Sequence, residues 1–161
     1  MTRTTDMPET LTARDMLARL VAFPTVSSVS NLDLISFAED YLAGHGVAST
    51  RVYDETGTKA ALHACIGPRI DGGVVLSAHT DVVPVGEASA WSVEPFAAEI
   101  KAGRLFGRGA ADMKGAIACF IAAVSRSFAR KKSSMSDRGY DERRYDDRRR
   151  DDDRRGDERE R

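Results

Sequence analysis

Two short stretches of this chain carry the residue types that hydrolytic metal sites use. The first contains His79 and Asp81, which lie two residues apart directly after an apolar run. The second contains Asp112, which follows a glycine-rich stretch and precedes a run of helical character. A neutral imidazole nitrogen is a good zinc ligand, and a carboxylate on the other ring nitrogen would fix its tautomer. As a pair, the stretches indicate the first half of a two-metal hydrolytic site.

Each motif also has a simpler interpretation. His-x-Asp alone is a weak signal, although ligand sites in open α/β sheets gather where strands end. Asp112 could serve only as the N-cap of the following helix, or it could be a carboxylate that bridges two metals. Gly107 and Gly109 would let the loop bend so that Asp112 approaches His79. A phosphate-binding loop is excluded because no third glycine and no Lys-Ser/Thr pair follow in register.

The elements that must position these residues form an α/β layered pattern. Helices are predicted where apolar residues recur with helical spacing, at 11–23 and 32–42. Strands are predicted at 47–53 and 60–66, where the period of the apolar residues shortens. A fully buried strand is predicted at 74–77 and a hairpin at 97–106. A third helix is predicted from Met113 or Lys114 to about Phe128. Trp91 and Phe96 are interpreted as packing residues near the rim of the site, and His45 and His63 as structural or surface residues.

Matches to a known family are dense between residues 11 and 124. They comprise Lys59-Ala60, Ile66-Gly67-Pro68, Gly72 to Ser77, His79 to Pro84, Trp91, Pro95-Phe96, Gly103-Arg104-Leu105 and Gly107 to Gly115. On these residues the chain resembles the N-terminal part of the M20 family of metallohydrolases, most closely its acetylornithine deacetylase branch. The resemblance implies an incomplete zinc-peptidase-like catalytic domain of the α/β class over residues 1–128, with helices packed on a mixed sheet.

The resemblance also implies the chemistry. His79 would ligate one zinc ion, Asp112 would bridge both, and Asp81 would serve catalysis by orienting His79. The cofactor would be two Zn²⁺ ions, or Co²⁺, with no other cofactor. The reaction would be hydrolysis of an N-acyl, typically N-acetyl, group from an amino acid such as N-acetylornithine, as in arginine biosynthesis. Complete relatives are homodimers, and their dimerisation domain is not expected in this chain.

The remainder of the chain breaks this pattern. The resemblance fades after Val124, and residues 129–161 are expected to be a disordered, low-complexity Arg/Asp-rich tail because no apolar periodicity survives there. A frameshift near Val124 is our hypothesis for this change. No histidine follows His79, whereas a complete family site needs a distal histidine and further acidic ligands. We interpret Tyr140-Asp141-Glu142 as a coincidence of composition, and expect a truncated hydrolase with little or no activity.

Composition limits the other possibilities. The 161 residues carry a net charge of −1, which favours neither nucleic acid nor a membrane as a partner. The partner that the family resemblance implies is a small-molecule N-acyl amino acid. Residues 1–10 show no signal pattern, and Cys65 and Cys119 are predicted to be buried free thiols, so a cytoplasmic location is expected. Two alternatives are a non-catalytic binding or dimerisation remnant and, with a weaker signal, a nucleic-acid-interacting protein that acts through its Arg-rich tail.

Overall fold

The computed structural model describes residues 9–67 and 71–136, with side chains up to 128. Three α-helices surround the main apolar core: α1 (Ala13–Val21), α2 (Leu32–Gly44) and α3 (Gly115–Ser136). The core consists of the buried residues Met16, Leu20, Leu34, Ala38, Leu42, Val47, Ala118 and Ile121. The chain divides into two compact units, Met1–Ala129 and Arg130–Arg161, and every described side chain belongs to the first.

Both predicted N-terminal helices are confirmed, and their ends have local causes. The Thr12 side chain accepts a hydrogen bond from the backbone N–H of Asp15 and so caps α1, while Pro24 ends the helical region because it cannot donate a backbone hydrogen bond. Helix α2 ends at Gly44, and Gly46 then adopts a φ of 79°. This left-handed conformation suits glycine, which has no Cβ to clash, and it turns the chain towards the first strand.

The strands form two small antiparallel sheets. Strand β1 (Ser49–Tyr53) pairs with β2 (Ala60–Ala64), and β3 (Glu99–Lys101) pairs with β4 (Arg104–Phe106). The β3–β4 hairpin turns through Ala102 and Gly103, whose φ values of 49° and 75° are typical of a type I′ turn. One parallel bridge joins Val26 to Val82. The predicted α/β class is confirmed as a partial domain of helices and small sheets.

The prediction of a buried strand at 74–77 is wrong. Val74 and Val75 are 87% and 91% exposed, and no strand is assigned to this segment. A continuous apolar run becomes a buried strand only when strands flank it and helices cover both faces. Within residues 9–67 and 71–136, no strand pairs with this segment, so it remains extended on the surface.

Helix α3 differs from its predicted bounds at both ends. It begins at Gly115 because a wide irregular turn, Ala110–Lys114, with non-helical backbone at Asp112 and Met113, occupies the predicted start. Its backbone continues to Ser136, beyond the predicted end at Phe128. The rest of the predicted tail, including Tyr140-Asp141-Glu142, lies outside the described residues, and so does Pro68 of the family pattern.

The two cysteines also differ from expectation. Cys65 and Cys119 are free but exposed rather than buried, since Cys65 follows the end of β2 and Cys119 lies on α3 beside the buried face that Ala118 and Ile121 form. No helix in the described part of the chain has the length and apolarity needed to cross a bilayer.

Candidate functional site

A short segment after α1 holds the His79 stretch in place. Backbone hydrogen bonds run from Val82 N–H to the Thr25 carbonyl and from Ser27 N–H to the Val82 carbonyl, at 2.9 and 3.0 Å. The buried Thr25 hydroxyl adds a 2.6 Å hydrogen bond to the carbonyl of Thr80. These bonds fix the backbone on both sides of Asp81, although no regular sheet surrounds it.

Asn31 ties the same stretch to β2. It occupies the N-cap position of α2 but makes no capping hydrogen bond. Its side-chain amide instead donates to the Ala60 carbonyl and to the Thr80 hydroxyl, each at 2.9 Å, and accepts from the Ala60 N–H. One half-buried side-chain amide therefore joins a helix start, a strand and the site backbone.

The structure brings the three predicted site residues together. The Nε2 atom of His79 lies 3.2 Å from Oδ1 of Asp112, and Nδ1 lies 3.2 Å from Oδ1 of Asp81. Nδ1 also lies 3.0 Å from the backbone carbonyl oxygen of Asp81. A neutral ring that donates from Nδ1 would direct the Nε2 lone pair towards the Asp112 side. This is the orientation that the sequence predicts for a metal-binding histidine, and the metal-ligand and catalytic roles themselves stay predictions.

Hydrogen bonds set the electrostatics of this group. The Asp81 carbonyl, which accepts from Nδ1, raises the pKa of His79 against a smaller opposing effect of desolvation, and Asp112 adds to the rise. Ser27 donates a 2.6 Å hydrogen bond to Oδ2 of Asp81 and is the main cause of the lowered pKa of that carboxyl group. Asp81 is therefore held in its ionised form between Ser27 and His79.

The glycines beside Asp112 allow close packing rather than open flexibility. Gly109 has a φ of 80°, and a Cβ there would overlap the Cγ1 atom of Val82. A Cβ on Gly107 would lie 2.6 Å from Cγ1 of Val21. The loop can therefore lie directly against the end of α1 and against Val82. This agrees with the expectation that the glycines let Asp112 approach His79.

The buried side chain of Lys114 holds the wide turn in place. Its side chain has 0% exposure, and its Nζ donates a 2.6 Å hydrogen bond to the Phe23 carbonyl. Burial lowers the pKa of this ammonium group to about 8. The turn that carries Asp112 is thus connected to the segment whose Thr25 and Ser27 hold the His79 stretch.

The donor set is too small for a complete zinc site. His79 Nε2 and the Asp112 carboxylate have the right chemistry for zinc, but Asp81 faces the other ring nitrogen. Within the described ranges there is no group of three or more His, Cys, Asp or Glu side chains that could hold a metal ion. Structural zinc sites use four ligands and catalytic sites usually three. The described residues alone therefore do not fit the two-metal centre that the family resemblance implies.

The sequence did not indicate the residues that organise the site. Ser27 and Thr25 lie more than fifty positions before Asp81, so only the folded backbone brings them near. Lys114 carried no such signal either, because lysine side chains are almost never fully buried in proteins. Arg108 lies within the 107–115 motif, but the sequence predicted no role for it. The guanidinium carbon of Arg108 lies 4.8 Å from the centre of the Trp91 ring. The predicted packing role of Trp91 thus includes a specific partner.

Part of the chain is similar in sequence to a known peptidase family and to named enzymes. Residues 75–135 match the sequence profile described as peptidase family M20/M25/M40. A succinyl-diaminopimelate desuccinylase of Rhodospirillum centenum is 42% identical over 118 residues, covering 71% of this chain and 30% of that protein. A protein of the same name from Parvibaculum lavamentivorans is 75% identical over 48 residues, covering 30% of this chain and 12% of that protein.

These matches refine the sequence-based resemblance. The chain spans less than a third of the length of either relative. Both relatives are named desuccinylases, whereas the sequence favoured the acetylornithine deacetylase branch. The profile match ends at residue 135, beyond Val124, where the resemblance was expected to fade. Over residues 75–135 the chain is therefore similar to a fragment of the M20 peptidase family.

Proposed function

We propose that this chain carries the N-terminal half of the active site of an N-acyl amino acid hydrolase. The observation that supports this most directly is the arrangement around His79, whose two ring nitrogens face Asp81 and Asp112 at 3.2 Å each. The reaction is the hydrolysis of an amide bond, which yields a free amino acid and a carboxylic acid. The roles of the three residues follow the sequence prediction: His79 and Asp112 are zinc or cobalt donors, and Asp81 orients His79.

An N-succinyl amino acid is the preferred substrate class. The two relatives described above carry the name succinyl-diaminopimelate desuccinylase, and one of them aligns over most of this chain. An N-acetyl amino acid such as N-acetylornithine is the second candidate, because the motif pattern resembles acetylornithine deacetylases. The substrate is in both cases a small amide that carries at least one carboxylate group.

The 161-residue chain alone is expected to be inactive. The described residues supply fewer than three metal donors, so the reaction requires donors from outside them. A homodimer, which the family resemblance implies for complete relatives, and a cytoplasmic location remain predictions.

A chimera tests the proposed half-site. Residues 11–124 replace the matching segment of the Rhodospirillum centenum relative, and release of succinate from N-succinyl-diaminopimelate is measured. We expect an active chimera whose activity falls by more than about 100-fold in His79→Ala and by about 10–100-fold in Asp81→Asn. His63→Ala is the matched control, because this exposed histidine lies on β2. A His79→Ala chimera as active as the control would refute the proposal.

A further inference from the structure

A cavity of about 250 Å³ adjoins the candidate site. His79, Asp81 and Asp112 line one part of it, and the loop from Gly107 to Ala111 lines another. Among its lining residues, Arg108 is the only one with a guanidinium group. The cavity is therefore bordered by the His79 group and by an arginine for which the site described above provides no role.

Several contacts hold Arg108 in place. Its guanidinium carbon lies 4.8 Å from the centre of the Trp91 ring, a distance at which a cation–π interaction is favourable. Trp91 is itself fixed by a 2.8 Å hydrogen bond from Nε1 to the Val85 carbonyl. The Arg108 backbone N–H donates to the Pro95 carbonyl at 2.6 Å, and the tightly packed Gly107 and Gly109 flank it. An arginine held in this way loses little conformational freedom when it binds a ligand.

The donors of Arg108 are largely unused. Its Nε atom is buried without a hydrogen-bond partner, and no ion pair joins it to an acidic residue in the described part of the chain. Both carboxylates of the cavity already face His79. Buried donors normally have partners, so the described residues leave the hydrogen-bonding capacity of this guanidinium unsatisfied.

We propose that Arg108 binds a carboxylate of the substrate and so selects anionic N-acyl amino acids. The proposal rests on the proposed function and extends it by naming the recognised group. A guanidinium offers parallel N–H donors that match the two oxygens of a carboxylate, and Trp91 holds its plane in position. The cavity is small compared with sites that enclose a whole ligand, so it accommodates the carboxylate-bearing arm next to the reacting amide.

The chain provides its own probe for this interaction. Trp91 is its single tryptophan, so its fluorescence reports on the surroundings of Arg108 without interference. N-succinylglycine and its uncharged diamide are titrated into the full chain, and isothermal titration calorimetry repeats each comparison. We expect saturable binding of N-succinylglycine and at least tenfold weaker binding of the diamide. Absence of saturable binding, or equal binding of the two compounds, overturns the proposal.

Three variants assign the preference to Arg108. Arg108→Gln is expected to bind both compounds equally weakly, and Arg108→Lys to keep only part of the preference because it retains charge but loses the paired donors. Arg104→Gln is the matched control, since it removes the same charge from an exposed position on β4. Calorimetry is needed because Arg108→Gln itself alters the surroundings of Trp91. An Arg108→Gln chain that keeps the full carboxylate preference refutes the proposal.

The binding test of Arg108 and the chimera test of the proposed function can fail independently of each other. If the chimera loses no activity in His79→Ala while Arg108 still selects carboxylates, the hydrolase assignment fails and the binding role stands. If the chimera behaves as expected but Arg108→Gln changes no carboxylate preference, the hydrolase assignment stands and the role of Arg108 is wrong. Circular dichroism of each variant establishes that it is folded before binding is compared.

Discussion

The ammonium nitrogen of Lys114 donates a 2.6 Å hydrogen bond to the carbonyl oxygen of Phe23, although 91 positions separate the two residues. This bond connects the turn that carries Asp112 to the segment that follows α1. Since Thr25 and Ser27 of that segment hold the backbone around Asp81, the two halves of the candidate site are positioned through one short stretch of chain.

Shortening Lys114 should be more damaging than neutralising it. Lys114→Ala leaves a cavity and an unpartnered carbonyl, so we expect the free energy of unfolding to fall by about 2–5 kcal/mol. Lys114→Met fills most of the same space and removes a buried charge, so it should retain more stability than the alanine variant. Urea denaturation monitored by circular dichroism measures both. Equal losses in the two variants would show that packing around this side chain contributes little.

The Thr25 hydroxyl should contribute measurably to stability. Thr25→Val keeps the shape but removes the 2.6 Å hydrogen bond to the Thr80 carbonyl, which leaves a part-buried acceptor without its partner. We expect a loss of about 1–3 kcal/mol. Thr58→Val serves as the comparison, because Thr58 is exposed and such substitutions usually change stability by less than about 0.5 kcal/mol. A Thr25→Val chain as stable as Thr58→Val contradicts this role.

Gly109 should tolerate alanine less well than Gly86. Both adopt positive φ values, 80° and 71°, but a Cβ on Gly109 meets Val82 whereas nothing lies within 4 Å of a Cβ on Gly86. Gly86→Ala should therefore cost only the left-handed strain of about 1–2 kcal/mol. Gly109→Ala adds overpacking of about 1–3 kcal/mol. Thermal unfolding of the two variants provides the comparison, and the same shift in both would exclude a packing role for Gly109.

Zinc should bind this chain weakly. Because the described residues offer fewer than three donors, dialysis against metal-free buffer should leave less than one zinc ion per chain, and a chelator should not change the melting temperature. Atomic absorption and thermal unfolding measure these quantities. Stoichiometric zinc retention that disappears in His79→Ala would show that the chain completes the site with residues other than those described.

Asp54 should stabilise the β1–β2 turn in a pH-dependent manner. Hydrogen bonds from the Lys59 backbone and from Thr56 lower the pKa of Asp54 below its ordinary value of 3.8. A lowered folded-state pKa means that the stabilisation is complete above the unfolded value and is lost as the pH falls through the folded value. The stability difference between the wild type and Asp54→Asn should therefore shrink below about pH 4. A difference that does not change with pH would contradict this assignment.

Local patterns predicted much of the fold. The apolar spacing of α1 and α2 identified both helices, and the Ala102–Gly103 turn identified the β3–β4 hairpin. The pair His79 and Asp81 indicated a candidate site because its chemistry is compact in sequence, and the metal-ligand and catalytic roles stay predictions. In each case the determining interactions lie within a few residues, so the sequence pattern contains them.

Long-range relationships could not be predicted in this way. Burial of Val74 depends on neighbouring strands, and nothing within the segment itself says whether they are present. The hydrogen bond from Lys114 to Phe23 and that from Ser27 to Asp81 join distant parts of the chain. The wide turn before α3 displaced the predicted helix start because the Asp112 backbone leaves helical geometry, with a φ of −123°.

The exposed stretch at Val74–Leu76 gives the chain a point of proteolytic weakness. Proteases cut accessible segments outside regular structure, and this segment has exposed side chains and no strand partner among the described residues. A cut there would separate α1, α2 and the β1–β2 hairpin from the stretch that contains His79. The same unpaired backbone would become protected once another strand bound beside it, so the rate of cleavage in this segment reports how fully the domain is assembled.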